Sequence, residues 1–274
     1  VRTIAHISDL HFGRIDPPVV EALVEDLNQR RPHLLVASGD FTQRARRGQY
    51  RAAAAFLARL PGPQLLVPGN HDIPLYDLIR RFMFPLQNYR RHICADLRPV
   101  YRDQEMIVIG LNTARSFSFS LDGFWKDGRI SEEQLLDVQT QARDLPQDLL
   151  KIVVTHHPFI PPPGERLHGI VHGAARALDT MQRCGVDLLL AGHLHTGYSG
   201  DVRTHHEAVK RSILSIQAGT ATSTRRRGQP NAYNWITASI REVTIEVRAF
   251  LAGRFQTETI RRFVRCDGVW QEQA

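Results

Sequence analysis

The 274-residue sequence predicts an α/β fold, two packed sheets with helices outside, and three observations predict it. Apolar runs of strand length recur at residues 3–8, 34–38, 64–68, 106–111, 151–155 and 187–191. Segments with helical spacing separate the first several of these runs. Beyond Ala191 the helical segments stop, and residues 209–217, 233–240, 244–251 and 256–265 are β-branched and often alternating, the pattern of an antiparallel second sheet or a sheet extension. No long linker, internal repeat or low-complexity segment divides the chain, so residues 1–274 are expected to form a single domain.

Taken in order, the segment between the first two strands, 17–31, places Val19, Val20, Leu23, Val24 and Leu27 at helical spacing. Between the next two, residues 49–60 carry an alanine-rich helix pattern. Ser131-Glu132-Glu133-Gln134 reads as a capping box, in which the serine oxygen and the glutamine side chain each satisfy a backbone N–H of the other's turn. It opens a helix running to about Leu145. Residues 173–184 form a further amphipathic stretch closed by Gly185.

Composition narrows the class. Hydrophobic residues make up 42% and charged residues 23%, and no apolar run approaches the roughly 18 residues of a membrane span, which points to a globular, soluble chain. The start, Val1-Arg2-Thr3-Ile4-Ala5-His6, lacks the features of a secretory leader, so a cytoplasmic location is expected, with peripheral attachment at the inner membrane as an alternative. Cys94, Cys184 and Cys266 are far apart and indicate neither a disulfide framework nor a thiolate zinc site. The net charge is +7, and 32 of the 35 basic residues are arginine, an excess that suits an anionic partner. Nucleic acid is one such partner, but no recognised RNA- or DNA-binding signature appears. Thirteen histidines are the other unusual count.

The chemistry falls at the ends of the predicted strands. Asp9-Leu10-His11 follows the first, Gly39-Asp40 the second, Gly69-Asn70-His71-Asp72 the third, His156-His157 the fifth and Gly192-His193-Leu194-His195 the sixth. In open α/β sheets this carboxyl edge is where ligands bind. Asp9, His11, Asp40, Asn70, His156, His193 and His195 offer carboxylate, imidazole and amide oxygen without thiolate, a set suited to Mn, Fe, Zn or Co. Seven side chains are too many for one ion that keeps an open position and enough for two ions sharing a carboxylate.

These five blocks resemble those of the calcineurin-like metallophosphoesterase superfamily, and span residues 9 to 195. The resemblance implies a four-layer αββα sandwich of two packed mixed sheets flanked by helices. It implies that Asp9, His11, Asp40 and His195 hold one metal and Asp40, Asn70, His156 and His193 the other, with Asp40 bridging. The implied reaction is hydrolysis of a phosphodiester through a metal-bridging hydroxide, needing no protein nucleophile. His71 would be no ligand; it would stabilise phosphoryl charge or protonate the leaving oxygen, and Asn70 and His71 would touch substrate. Phosphoprotein phosphatases of the superfamily differ at the positions of Phe41-Thr42-Gln43-Arg44 and Asp72, and the diacylglucosamine hydrolases usually carry Arg in place of His71. Gly-Asn-His-Asp with Gly-His-Leu-His is most similar to the bacterial class III cyclic nucleotide phosphodiesterase branch.

Two stretches, 74–98 and 112–129, are expected as substrate-facing cap segments. Within the first, residues 74–84 set Leu75, Leu78, Ile79, Phe82 and Met83 on one helical face, read foremost as a helix packed on the core. The second holds Phe117, Phe119, Leu121, Phe124 and Trp125, aromatic enough to line an apolar mouth or a homodimer contact. Such a mouth among arginines would suit a lipid- or glycolipid-linked phosphodiester at a membrane surface. Arg225, in the run Arg225-Arg226-Arg227, is a further substrate-binding candidate. His157, His168 and His172 follow the fifth strand without an assigned role. A nuclease or nucleic-acid-binding protein is the reading from another class, and an inactive scaffold would have lost ligands, none of which is missing.

Overall fold

Alternation within the strands sets the layering. In β1 (Arg2–Ile7) and β2 (Leu34–Ala37), Ile4, Leu34 and Val36 pack into one core while Ala5, Ile7, Leu35 and Ala37 pack into another, as the two-residue period of a pleated strand requires. Both strands are therefore buried on both faces. The same split recurs in β5 (Met106–Gly110), β6 (Leu150–Val154) and β7 (Leu188–Ala191): Val108, Ile152 and Leu190 share the core of Ile4, whereas Ile109, Val153 and Leu189 belong to a third. Three stacked cores between four layers follow. A computed structural model describes residues 1–116, 127–162, 169–226 and 228–273.

The first sheet also contains β3 (Gln64–Leu66), β10 (Ala232–Ala238), β11 (Glu242–Leu251), β12 (Arg254–Cys266) and β13 (Val269–Gln273), in the order β13-β12-β11-β10-β1-β2-β3. The second, completed by β4 (Val100–Arg102), β8 (Tyr198–Asp201) and β9 (Leu214–Gln217), runs β4-β5-β6-β7-β9-β8. Both sheets are mixed. β1, β2 and β3 are parallel to one another, as are β5, β6, β7 and β9, so the loops leaving β1, β2, β3, β6 and β7 emerge at one edge. That edge carries the five sequence blocks.

Outside the first sheet lie α1 (Pro17–Arg30), α2 (Arg47–Leu57) and α4 (Gln87–His92), with the short α3 (Leu78–Met83) preceding α4 in the chain; outside the second lie α5 (Glu132–Ala142) and α6 (Ala174–Arg183). Val19, Val20, Leu23, Val24 and Leu27 form the buried stripe of α1, as their spacing predicts. Ser131 caps α5 in the reciprocal geometry expected, Gln134 N–H donating to Ser131 Oγ at 3.3 Å and Ser131 N–H to Gln134 Oε1 at 2.9 Å.

Two expectations are corrected. The 209–217 run yields only β9, which pairs parallel with β7 and antiparallel with β8, so the segment after Ala191 is not wholly antiparallel; β10 to β13 form the antiparallel extension of the first sheet. The 74–84 segment is not a helix packed on the core. Only Leu78–Met83 is helical, and Leu78, Ile79, Phe82 and Met83 are exposed. Arg81 faces inward instead, its guanidinium donating to the Pro74 carbonyl at 2.9 Å, and that polar anchor turns the apolar side outward. The aromatic positions 117–126 and His168 lie outside the described residues.

Candidate metal centre

The loops leaving parallel strands bend at once, and the bends fall on the candidate ligands. Asp9, His11, Asp40, His193 and His195 all have φ between 49° and 72°, a left-handed backbone that side chains seldom adopt. Glycine makes room beside them. A Cβ on Gly69 would stand 2.2 Å from Asp40 Oδ1, and one on Gly39, itself at φ 101°, 2.5 Å from His156 Nδ1.

All seven predicted ligands come together. His11 Nε2 lies 3.6 Å from both Asp9 Oδ1 and Asp40 Oδ2, and His195 Nε2 lies 3.5 Å from Asp9 Oδ1. His156 Nε2 is 3.4 Å from Asp40 Oδ1 and 3.0 Å from Asn70 Oδ1, which is also 3.0 Å from His193 Nδ1. The contacts divide into one group of Asp9, His11, Asp40 and His195 and another of Asp40, Asn70, His156 and His193. Asp40 belongs to both.

These donors fit metal ions. Ligand atoms about 2.0–2.2 Å from one ion stand roughly 3.0–3.5 Å from each other, close to the separations here and too long in several pairs for hydrogen bonds. Asp9 Oδ1 and both ring nitrogens of His11 are buried without a hydrogen-bond partner among the described residues. Sets including Asp9, His11 and His195, and Asp9, Asp40 and His156, could each hold an ion. Orphaned buried donors of this kind are costly unless something binds them.

Neighbouring groups orient the rings. His156 Nδ1–H donates to the Ser38 carbonyl at 2.7 Å, which turns Nε2 toward the centre, and His195 Nδ1 is hydrogen-bonded to Thr220 Oγ1 at 2.6 Å. His71 Nδ1–H donates to the Gln43 carbonyl at 2.9 Å, and Arg225 Nη1 donates to His71 Nε2 at 3.0 Å. His71 N–H also donates to Asp40 Oδ1 at 2.8 Å. The ring of His71 stands edge-on to that of His11, with centroids 4.8 Å apart. His157 adjoins His193 and is hydrogen-bonded to Thr113, while His172 is exposed.

Charge follows burial. Burial opposes ionisation of Asp40, yet the His156 imidazole, with His71 and His11, outweighs it and holds the carboxyl well below the usual range. Burial likewise opposes the charge on Asp9, but His195 and His11 outweigh it and hold the carboxyl below its usual range. Burial lowers His156, but Asp40 more than reverses this and raises it to about 9; burial and the neighbouring His156 push His193 down to about 3. His71 is lowered by burial, against the pull of Asp40.

Sequence reasoning assigned no role to Thr220, Ser38, Gln43 or Asp72. Asp72 accepts from the backbone N–H groups of Phe41, Thr42 and Gly69 at 3.2, 2.9 and 3.0 Å, tying the loops after β2 and β3 together. Its place in Gly-Asn-His-Asp was the available signal. Backbone carbonyls leave none.

A family model of calcineurin-like phosphoesterases matches residues 2–197, and the chain belongs to that family. Glycerophosphodiester phosphodiesterase GpdQ of Enterobacter lignolyticus is 31% identical over 170 residues, 58% of this chain and 57% of that protein, so the match spans little more than half of that relative's length. A Synechococcus protein named "Probable cyclic nucleotide phosphodiesterase" is 27% identical over 211 residues, 72% of this chain and 74% of it. Both relatives agree with the bacterial class III branch read from the motifs. The fold is shared with a dimetal phosphatase from Danio rerio, at TM-score 0.63, 14% identity and coverage of 94% and 99% of the two chains. A purple acid phosphatase from yellow lupin seeds shares it at TM-score 0.65 and 10% identity, covering 93% of this chain and 52% of that one.

Proposed function

We propose that this chain is a metal-dependent phosphodiesterase with a binuclear centre, acting on a small, cyclic nucleotide-like phosphodiester. The observation that carries the reading is the pair of donor groups meeting at Asp40, with His71 beside them facing an open cleft. Asp9, His11, Asp40 and His195 would hold one ion, and Asp40, Asn70, His156 and His193 the second, each Mn, Fe, Zn or Co. Two such ions, when bound, make water a nucleophile near neutral pH and withdraw charge from phosphoryl oxygens.

The protein's own groups do the rest. His71 Nδ1–H is committed to Gln43, so it is the imidazolium, with Nε2 also protonated and favoured by the neighbouring Asp40 carboxylate against burial, that would give a proton to the leaving oxygen or donate to a phosphoryl oxygen. Arg225 donates to that same nitrogen, and an arriving phosphoryl group would take over the guanidinium and release Nε2. Asp40→Ala and His195→Ala should abolish hydrolysis of bis(p-nitrophenyl) phosphate and lower bound metal; full activity in either would sink the binuclear assignment. His71→Ala should lose about 10²- to 10³-fold in turnover while keeping its metal.

A second reading, a lipid- or glycolipid-linked phosphodiester met at the inner membrane surface, is favoured by the exposed apolar side of α3 next to the cleft. No helix among the described residues is long and apolar enough to cross a membrane. Nucleic acid is less favoured, because several arginines of the basic runs are engaged with carboxylates of the chain itself: Arg80 with Asp77, Arg226 with Asp16, Arg261 with Glu272 and Arg262 with Glu242.

A further inference from the structure

The cleft of about 390 Å³ that opens from Asn70 and His71 has no carboxylate in its lining, and besides Arg81, whose guanidinium donates to the Pro74 carbonyl, it is walled by Arg14, Arg44 and Arg225. These arginines come from three separate loops, after β1, after β2 and after β9. None has a carboxylate within ion-pair distance among the described residues, although Arg226, the neighbour of Arg225, is paired with Asp16 at 2.7 Å. Arg44 instead lies 5.4 Å above the Tyr76 ring, and Arg225 is half-buried against His71. Guanidinium groups gathered on a concave wall without counter-charge repel one another, and an anion relieves that repulsion.

One phosphodiester does not account for the number. It carries a single negative charge, which two bound metal ions and Arg225 would already meet beside His71. Arg14 and Arg44 are left over. Building on the phosphodiesterase reading, we propose that Arg14 and Arg44 form a subsite for a second phosphate carried by the substrate. The preferred substrate class is a phosphodiester bearing an additional phosphate, rather than a simple dialkyl or cyclic diester. Planar, forked donors recognise phosphate oxygens in pairs, so the selectivity should depend on arginine and not merely on positive charge.

Calorimetry on manganese-loaded protein tests this with alkyl monophosphates of three to six carbons and the matching α,ω-bisphosphates, whose flexible linkers make no assumption about spacing. The native protein should bind the best bisphosphate at least about tenfold more tightly than its monophosphate, the gain from charged hydrogen bonds of about 1.5 kcal/mol or more. In Arg14→Gln/Arg44→Gln the ratio should fall to about the twofold expected from two equivalent ends, with monophosphate affinity kept. Arg226→Gln, in the same segment but outside the cleft, should keep the native ratio. A native ratio below threefold throughout the series, or a ratio that the double variant preserves, overturns the subsite. Turnover of bis(p-nitrophenyl) phosphate reads the parent assignment separately: no turnover with the ratio intact would remove the phosphodiesterase and leave the anion subsite, and turnover without the ratio would do the reverse.

Discussion

Asp9, His11, Asp40, His193 and His195 share a strained backbone because each must turn back over the edge of the sheet that delivers it. Their types and spacing were legible in the sequence, since each is a polar side chain placed directly after a buried strand. What orients them was not. Thr220 lies 25 residues from His195, and Ser38 and Gln43 act through carbonyls that every residue possesses. His6 shows another limit of the same kind, being a histidine that the strand pattern places inside. It is buried, hydrogen-bonded to Ser38 Oγ at 2.9 Å, and burial lowers its pKa from 6.5 to about 3 against the opposing charge of Asp9. The folded chain thus keeps His6 neutral where the unfolded chain protonates it. Its contribution to stability is present above pH 6.5 and is lost as pH falls from there toward 3. In metal-stripped protein, His6→Gln should flatten the acid side of a plot of urea midpoint against pH, by an uptake approaching one proton. Parallel acid limbs in the two proteins would show that His6 is not a source of the slope.

Among the elements, those with a long repeat were the legible ones. The stripe of α1 and the capping box of α5 are each specified by local chemistry, and both form as read. The direction of β9 was not legible, because alternation reports which faces are buried and is silent on whether a neighbour runs parallel. For α3, six residues are too few to say which face turns inward; Arg81 decides it by reaching the Pro74 carbonyl. The consequence is an apolar ridge of Ile79, Phe82 and Met83 on the same short helix as Arg80, with Ile79 76% exposed. Apolar insertion combined with attraction to anionic headgroups is the physics of interfacial binding. Ile79→Glu/Phe82→Glu should therefore lower sedimentation with phosphatidylglycerol-containing vesicles by about tenfold, since each change replaces an inserting side chain by a charge that the surface repels. Hydrolysis of a soluble diester should be unaffected. Equal binding of native and variant protein to the vesicles would remove the membrane reading and leave the site itself untouched.

At the scale of the whole molecule, the candidate centre sits between the two sheets. Asp9, His11, Asp40 and Asn70 leave strands of the first sheet, and His156, His193 and His195 leave strands of the second. The shared core of Ile4, Val36, Val108, Ile152, Leu190 and Ile216 already fixes how the sheets stack. At the open edge, however, two buried carboxylates and four imidazoles face each other across the junction, with Asp9 Oδ1 and His11 unsatisfied. Ions held there would bond both sheets at once and would bind the folded chain alone. Binding at a hundred times Kd contributes about 2.7 kcal/mol, which for a chain of this size corresponds to a rise in Tm of about 5 °C. Thermal melts with manganese and with a chelator should differ by that amount in the native protein. In Asp40→Asn, where both donor groups lose their common member, the difference should shrink to a small fraction of it. A native Tm indifferent to the chelator, with elemental analysis showing that metal had been bound and then removed, would mean that the ions do not join the sheets and that the donors on one side are not ligands.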